Sequence, residues 1–94
     1  MISRNSRISR NEKTAWRIIE GEGVLVDTEG GNFIHLNETA AEIWNSLDGK
    51  HTVSDLVAHI SNTFDVTIES AEKDAVEFLE NLLKHGVAEC RKNK

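Results

Sequence analysis

The chain has 94 residues, of which 38% are hydrophobic and 29% charged, so we expect one globular domain and exclude a multi-domain or disordered chain. Its single cysteine, Cys90, excludes an intramolecular disulfide and a cysteine-built metal site. No secretory signal is visible, and no apolar run approaches the roughly 20 residues that cross a bilayer. We therefore expect a cytoplasmic protein without a membrane partner.

Charge is distributed unevenly along the sequence, although the formal total is −5. Residues 1–18 carry five basic side chains and one acidic side chain, a local charge of +4, and residues 91–94 add three basic side chains. Residues 19–90 carry fifteen acidic and three basic side chains, a local charge of −12. Because nucleic-acid binding depends on Lys and Arg that neutralise phosphates, this acidic body disfavours nucleic acid and favours basic partners.

Three short runs rich in β-branched and aromatic residues predict a three-stranded antiparallel sheet. These runs are Ala15 to Ile19, Val24 to Thr28 and Asn32 to Leu36. Glycine-containing turns suited to tight hairpins separate them. The basic residues 1–14 lack periodicity, so we predict a flexible arm or an additional edge strand there.

The next segment predicts two amphipathic helices. Asn37 precedes the first helix as an N-cap, and apolar residues then recur at helical spacing. Asp48-Gly49 ends this pattern with a glycine suited to a left-handed cap. Thr52 and Asp55 have the spacing of a capping box for the second helix.

A third and longest helix is predicted from about Glu69 to His85, with Gly86 as a left-handed cap beyond its end. Its apolar side chains form two adjoining rows. The first row is Ala71, Ala75, Phe78 and Leu82, and the second is Val76, Leu79 and Leu83. Together they exceed the arc of about 100° that a helix lying on one layer needs, so the domain either buries both rows or leaves one exposed. Residues 87–90 are predicted to be a short strand or a tail, which places the domain at residues 15–90 and a basic tail at residues 91–94.

The sequence shows no motif for catalysis or metal binding. The four histidines lack the spacing of a zinc site, and neither a phosphate-binding glycine loop nor GxSxG is present. We therefore expect no catalytic residues, no metal and no cofactor of its own.

Several motifs follow one another in a characteristic order from the third predicted strand onward. They are Leu36 to Trp44, Leu47-Asp48-Gly49, Thr52-Val53, Phe64-Asp65-Val66, Asp74 to Leu79 and Leu82 to Val87. This series resembles the PqqD-like family, whose members are also called RiPP recognition elements, where RiPP denotes a ribosomally made and post-translationally modified peptide. The resemblance implies a winged-helix-like α+β domain, in which a three-stranded antiparallel sheet is followed by three helices.

The resemblance also implies a function and a binding site. Such a domain is a non-catalytic adaptor that binds the leader segment of a precursor peptide as a strand added to the third strand, beside the third helix. The implied peptide-binding residues are Phe33, Ile34, His35, Leu36, Asp74, Val76, Leu79 and Leu83. We assign structural roles to Asn37, Trp44, Gly49 and Gly86.

The implied partners are the precursor peptide and a separate modifying enzyme, such as a radical-SAM protein, a cyclase or a leader peptidase. Family members in pyrroloquinoline quinone biosynthesis have a Pro-Glu step before the third strand, whereas this chain contains no proline. We therefore prefer an adaptor for another modified peptide. The protein is expected to be a monomer or a homodimer, because an open strand edge can also pair with a second copy.

The alternative function is that of a winged-helix transcription regulator, in which the third helix would enter the major groove. That helix is rich in Asp and Glu, which makes insertion into DNA electrostatically unfavourable. A small enzyme is the least favoured function, since the sequence lacks a catalytic constellation.

Overall fold

The computed structural model describes residues 2–27 and 30–91, in which three helices and six strands form an α+β domain. The elements are β1 (Arg7–Arg10), β2 (Ala15–Ile19), β3 (Glu22–Asp27), β4 (Asn32–Leu36), α1 (Glu38–Asn45), β5 (Asp48–Thr52), α2 (Val53–Phe64), α3 (Ile68–Lys84) and β6 (Ala88–Arg91). The predicted fold class is therefore confirmed, including the antiparallel meander that precedes three helices. The structure adds a second three-stranded sheet.

The predicted meander is the sheet β2-β3-β4, in which both pairs are antiparallel. Ile19 pairs directly with Glu22, so only Glu20 and Gly21 turn the chain between β2 and β3. Both turn residues have positive φ, 53° and 82°, as expected for a tight hairpin whose twist matches its strands. At the other end of the sheet, β4 pairs with β3 alone among the described residues.

The second sheet has the order β5-β1-β6 and joins the two ends of the described chain. β1 lies at its centre, not at an edge, and Ile8 in β1 is only 1% exposed. Arg7 stands opposite Arg91 and Arg10 opposite Ala88 in the antiparallel pair of β1 and β6. Part of the predicted basic arm therefore belongs to the folded domain. Residues 92–94 of the predicted basic tail lie outside the described residues.

Each helix begins at a residue whose side chain accepts a hydrogen bond from the first turn. Asn37 Oδ1 accepts from the backbone N–H of Ala40 at 2.8 Å, and Thr67 caps α3 in the same way. The capping box of α2 is confirmed, since Thr52 and Asp55 bond reciprocally. These caps satisfy amide groups that a helix cannot pair internally.

The first helix ends earlier than the sequence predicted. Its C-cap is Ser46, and Gly49 lies inside β5 with a φ of 78°. Gly49 therefore permits a left-handed turn of the backbone within a strand and does not cap α1. Gly86, in contrast, follows the C-cap of α3 with a φ of 72°.

Trp44 lies at the centre of the core and is fully buried. The ring of Trp16 in β2 meets it edge to face, with the ring centroids 5.9 Å apart. Arg10 lies over the Trp16 ring, and its Nη1 donates to the carbonyl oxygens of Trp44 and Asn45 at the end of α1. This cluster joins β1, β2 and α1, so the two sheets share one core with the helices.

Candidate peptide-binding cleft

The strand β4 has an open edge and two different faces. Ile34 and Leu36 turn towards the core, where Leu36 is only 2% exposed. Phe33 and His35 alternate with them and are exposed, Phe33 by 69%. In an antiparallel pair, alternate backbone N–H and C=O groups point away from the partner strand, so the free side of β4 presents such groups for another strand.

A cleft of about 550 Å³ lies beside β4, between this strand, α1 and α3. It is lined by His35, Asn37, Thr39, Ala40, Ile43, Asp74 and Phe78. The partly buried Ala40 and Phe78 supply apolar surface, while Asp74 is exposed. The cleft therefore combines an apolar floor with a charged rim.

A second hollow of about 540 Å³ continues along the exposed face of α3. Its lining residues are Asp74, Glu77, Phe78, Glu80, Asn81 and Lys84. Asp74 and Phe78 line both hollows, so the two form one continuous surface, which we call the β4–α3 cleft. Three acidic side chains and one basic side chain line its helical part.

The structure brings together some of the implied peptide-binding residues. His35 and Asp74 face the same cleft from β4 and α3. Phe33 is exposed on β4, two residues before His35. Ile34 and Leu36, in contrast, contribute their side chains to the core and only their backbone to the open edge.

The helix residues of the second apolar row are placed differently from the prediction. Leu79 is 0% exposed and is part of the core, so its side chain offers no surface to a peptide. At about 100° per residue, Val76 and Leu83 lie some 140° to 160° around α3 from Phe78, away from the cleft. Of the helix residues implied as peptide-binding, only Asp74 lines the cleft, and Phe78 of the first apolar row lines it beside Asp74.

The sequence did not single out Phe78, because this residue belongs to the first apolar row of α3 and the implied apolar contacts all came from the second. The core row of α3 is in fact Ala71, Ala75, Leu79 and Leu82, with partly buried side chains on both flanks. The signal available in the sequence was the position of Phe78, a bulky aromatic residue at the margin of a core row that contains two alanines. Which flank faces β4 depends on the direction in which α3 crosses the sheet, and helical periodicity does not encode that direction.

Asn37, Trp44 and Gly86 occupy positions that fit the structural roles assigned to them, whereas Gly49 lies within β5 and does not cap a helix. Asn37 caps α1 and also lines the cleft, so the first turn of α1 lies at the edge of the site. Trp44 is enclosed by the core and does not reach the cleft surface. Gly49 and Gly86 both hold left-handed backbone conformations.

Ionisable side chains also make contacts outside the cleft. His59 Nε2 lies 2.7 Å from Glu42 Oε2, which links α2 to α1. Backbone N–H groups, that of Lys50 above all, lower the pKa of Asp48 to about 2. In the parts of the chain that are described, no group of three or more His, Cys, Asp or Glu side chains is arranged to hold a metal ion. Within the same ranges, no helix has both the length and the apolar character to span a membrane.

The sequence and the fold of this chain are both similar to those of known proteins. The chain is 34% identical over 71 residues to a "PqqA binding protein" of Methylococcus capsulatus. This match covers 76% of this chain and 72% of that protein. Its fold is similar to that of "TbiB1 in Complex with the TbiA(beta) Leader Peptide", with a TM-score of 0.77 and 21% identity, over 90% of this chain and 99% of that one. Residues 22–88, from β3 to the start of β6, match the model of the family described as "Coenzyme PQQ synthesis protein D (PqqD)". The chain therefore belongs to the PqqD family.

Proposed function

We propose that this protein is an adaptor that binds the leader segment of a ribosomally made precursor peptide and presents it to a separate modifying enzyme. The leader adds to β4 as a fourth strand of the sheet β2-β3-β4. Its backbone pairs with β4, and alternate side chains enter the β4–α3 cleft. The adaptor itself performs no reaction, and any cofactor belongs to the modifying enzyme.

The observation that carries this proposal is the open edge of β4 beside a cleft with an apolar floor. Backbone pairing along a strand edge supplies affinity for any extended peptide, and the cleft supplies selectivity through every second side chain. Phe78 and Ala40 provide the apolar contact. The relative that binds PqqA and the structural neighbour that holds a leader peptide support the same function.

The surface of α3 argues against the alternative function in DNA binding. The helix Ile68–Lys84 carries five acidic and two basic side chains, and most of the acidic ones are exposed. A recognition helix of this charge would repel the phosphates that border a major groove. An acidic α3 is compatible with a peptide partner.

The modifying enzyme is proposed to be a radical-SAM protein, a cyclase or a leader peptidase that works on the adaptor-bound precursor. The proposed setting is the cytoplasm, where ribosomes make the precursor. A monomer leaves β4 free for the leader, whereas a homodimer joined through β4 would have to dissociate first.

The proposal is tested by NMR titration of the isotope-labelled protein with the leader peptide encoded beside its gene. We expect the largest shifts at the backbone amides of residues 32–36, with slower hydrogen exchange on the open side of β4. A scrambled peptide of the same composition is the control. Binding that leaves the amides of residues 32–36 unchanged would refute strand addition at β4.

A further inference from the structure

The β4–α3 cleft has an uneven distribution of charge. Asp74, Glu77 and Glu80 line its helical part together with Lys84, and among the described residues none of these three carboxylates forms a hydrogen bond or an ion pair. In contrast, Glu72 on another side of α3 is engaged by Arg4 at 2.8 Å. The acidic groups in the cleft are therefore available to a guest, whereas Glu72 outside it is already paired.

Apolar and acidic surface occur in the cleft at a spacing that suits a strand. Asp74 and Phe78 are four residues apart on α3, which separates them by about 6 Å along the helix axis. Side chains on one face of a strand recur every two residues, or about 6.8 Å. A guest strand lying along α3 can therefore place one side chain against Phe78 and the next side chain of the same face against Asp74.

From these two features, and resting on the proposed function, we infer that the leader carries a Lys or Arg two residues from a bulky apolar residue. The apolar side chain packs against Phe78, and the basic side chain pairs with Asp74, with Glu77 close by on the same helix. Backbone pairing with β4 holds both in register. The guest is thus a basic peptide segment, selected by charge as well as by shape.

The test is a selection from a display library of random 15-residue peptides against three proteins. These are the unmodified protein, Asp74→Lys, and Glu12→Lys as a matched control. Glu12 is exposed between β1 and β2, so its substitution changes the net charge as much as Asp74→Lys does but outside the cleft. Circular dichroism verifies that all three proteins are folded.

We expect the unmodified protein and Glu12→Lys to enrich peptides with an apolar residue and a basic residue at this spacing. Asp74→Lys should select Asp or Glu at the basic position. In direct titration, replacing the basic residue of a selected peptide by Glu should weaken binding to the unmodified protein by about 5- to 30-fold. That range corresponds to the loss of one exposed ion pair and its replacement by a like-charge contact.

Two negative outcomes are distinguishable. In the first, the selected peptides shift the amides of residues 32–36, but either they have no preference for Lys or Arg, or Asp74→Lys selects the same basic residues as the unmodified protein. This outcome would overturn the charge selection and leave strand addition intact. Selected peptides that bind without shifting those amides would overturn both the charge selection and the proposed function.

Discussion

Phe78 and Leu79 are neighbours in sequence but should have opposite effects when truncated. Leu79 is 0% exposed and lies in the core, whereas the half-buried Phe78 lines the β4–α3 cleft. We predict that Leu79→Ala mainly lowers the free energy of unfolding, and that Phe78→Ala mainly weakens peptide binding. The contrast separates the role of the core from the role of the cleft within one helical turn.

The magnitudes follow from burial. A fully buried leucine truncated to alanine costs ~2–5 kcal/mol, and we expect about 3–4 kcal/mol for Leu79 because it has no exposed surface. For a domain of this length, such a loss lowers the midpoint of thermal unfolding by roughly 12–30 °C. Phe78 retains solvent contact, so we expect a cost of about 1–2 kcal/mol.

For peptide affinity, we expect Phe78→Ala to have the larger effect and Leu79→Ala the smaller one. If a guest side chain covers about 50 Å² of the Phe78 ring, its removal costs ~1.3 kcal/mol, or about tenfold in affinity. Leu79→Ala should leave the affinity of the folded fraction nearly unchanged. Urea unfolding followed by circular dichroism gives the stability, and calorimetric titration with the leader peptide gives the affinity.

One result would refute the reasoning. If Phe78→Ala destabilised the fold as much as Leu79→Ala and left peptide affinity unchanged, Phe78 would be a core residue and the guest would lie elsewhere. Leu83→Ala is a suitable control, because this half-buried residue lies on the flank of α3 that faces away from the cleft.

Three further predictions concern stability. Trp44→Ala should cost ~3–5 kcal/mol in chemical unfolding, because a fully buried indole leaves a large cavity. Asn37→Ala should cost about 1 kcal/mol and reduce helical circular dichroism modestly, since it removes the cap of α1, whereas Asn37→Asp should retain most of the stability. The pKa of Asp48 is lowered to about 2 in the folded state, so its stabilising contribution is present above the ordinary pKa of 3.8 and is lost as pH falls towards 2. Asp48→Asn should therefore flatten the decline in stability between about pH 4 and pH 2, as measured by urea midpoints, and an unchanged decline would contradict this assignment.

Local signals in the sequence predicted most of the fold. The turn Glu20-Gly21, the cap at Asn37 and the capping box at Thr52 each fix the chain through contacts between residues close in sequence. The sheet β2-β3-β4 and all three helices follow from such signals and from apolar periodicity.

For the sheet β5-β1-β6, the sequence left β1 open as an arm or an edge strand and β6 open as a strand or a tail, and it gave no signal for β5 or for the pairing. Asp48–Thr52 is a polar segment with no alternation, and its strand conformation depends on pairing with β1, a distant segment near the start of the chain. The same limit applied to the cleft. Periodicity identified the apolar rows of α3, but only the tertiary arrangement shows that the flank with Phe78 faces β4.

The pairing of β1 with β6 has a consequence for engineering. Arg7 and Arg91 stand opposite each other, and opposed residues of antiparallel strands have Cα atoms only about 5 Å apart. A short loop could therefore join these positions in a circular permutant, with new ends opened at the hairpin of Glu20 and Gly21.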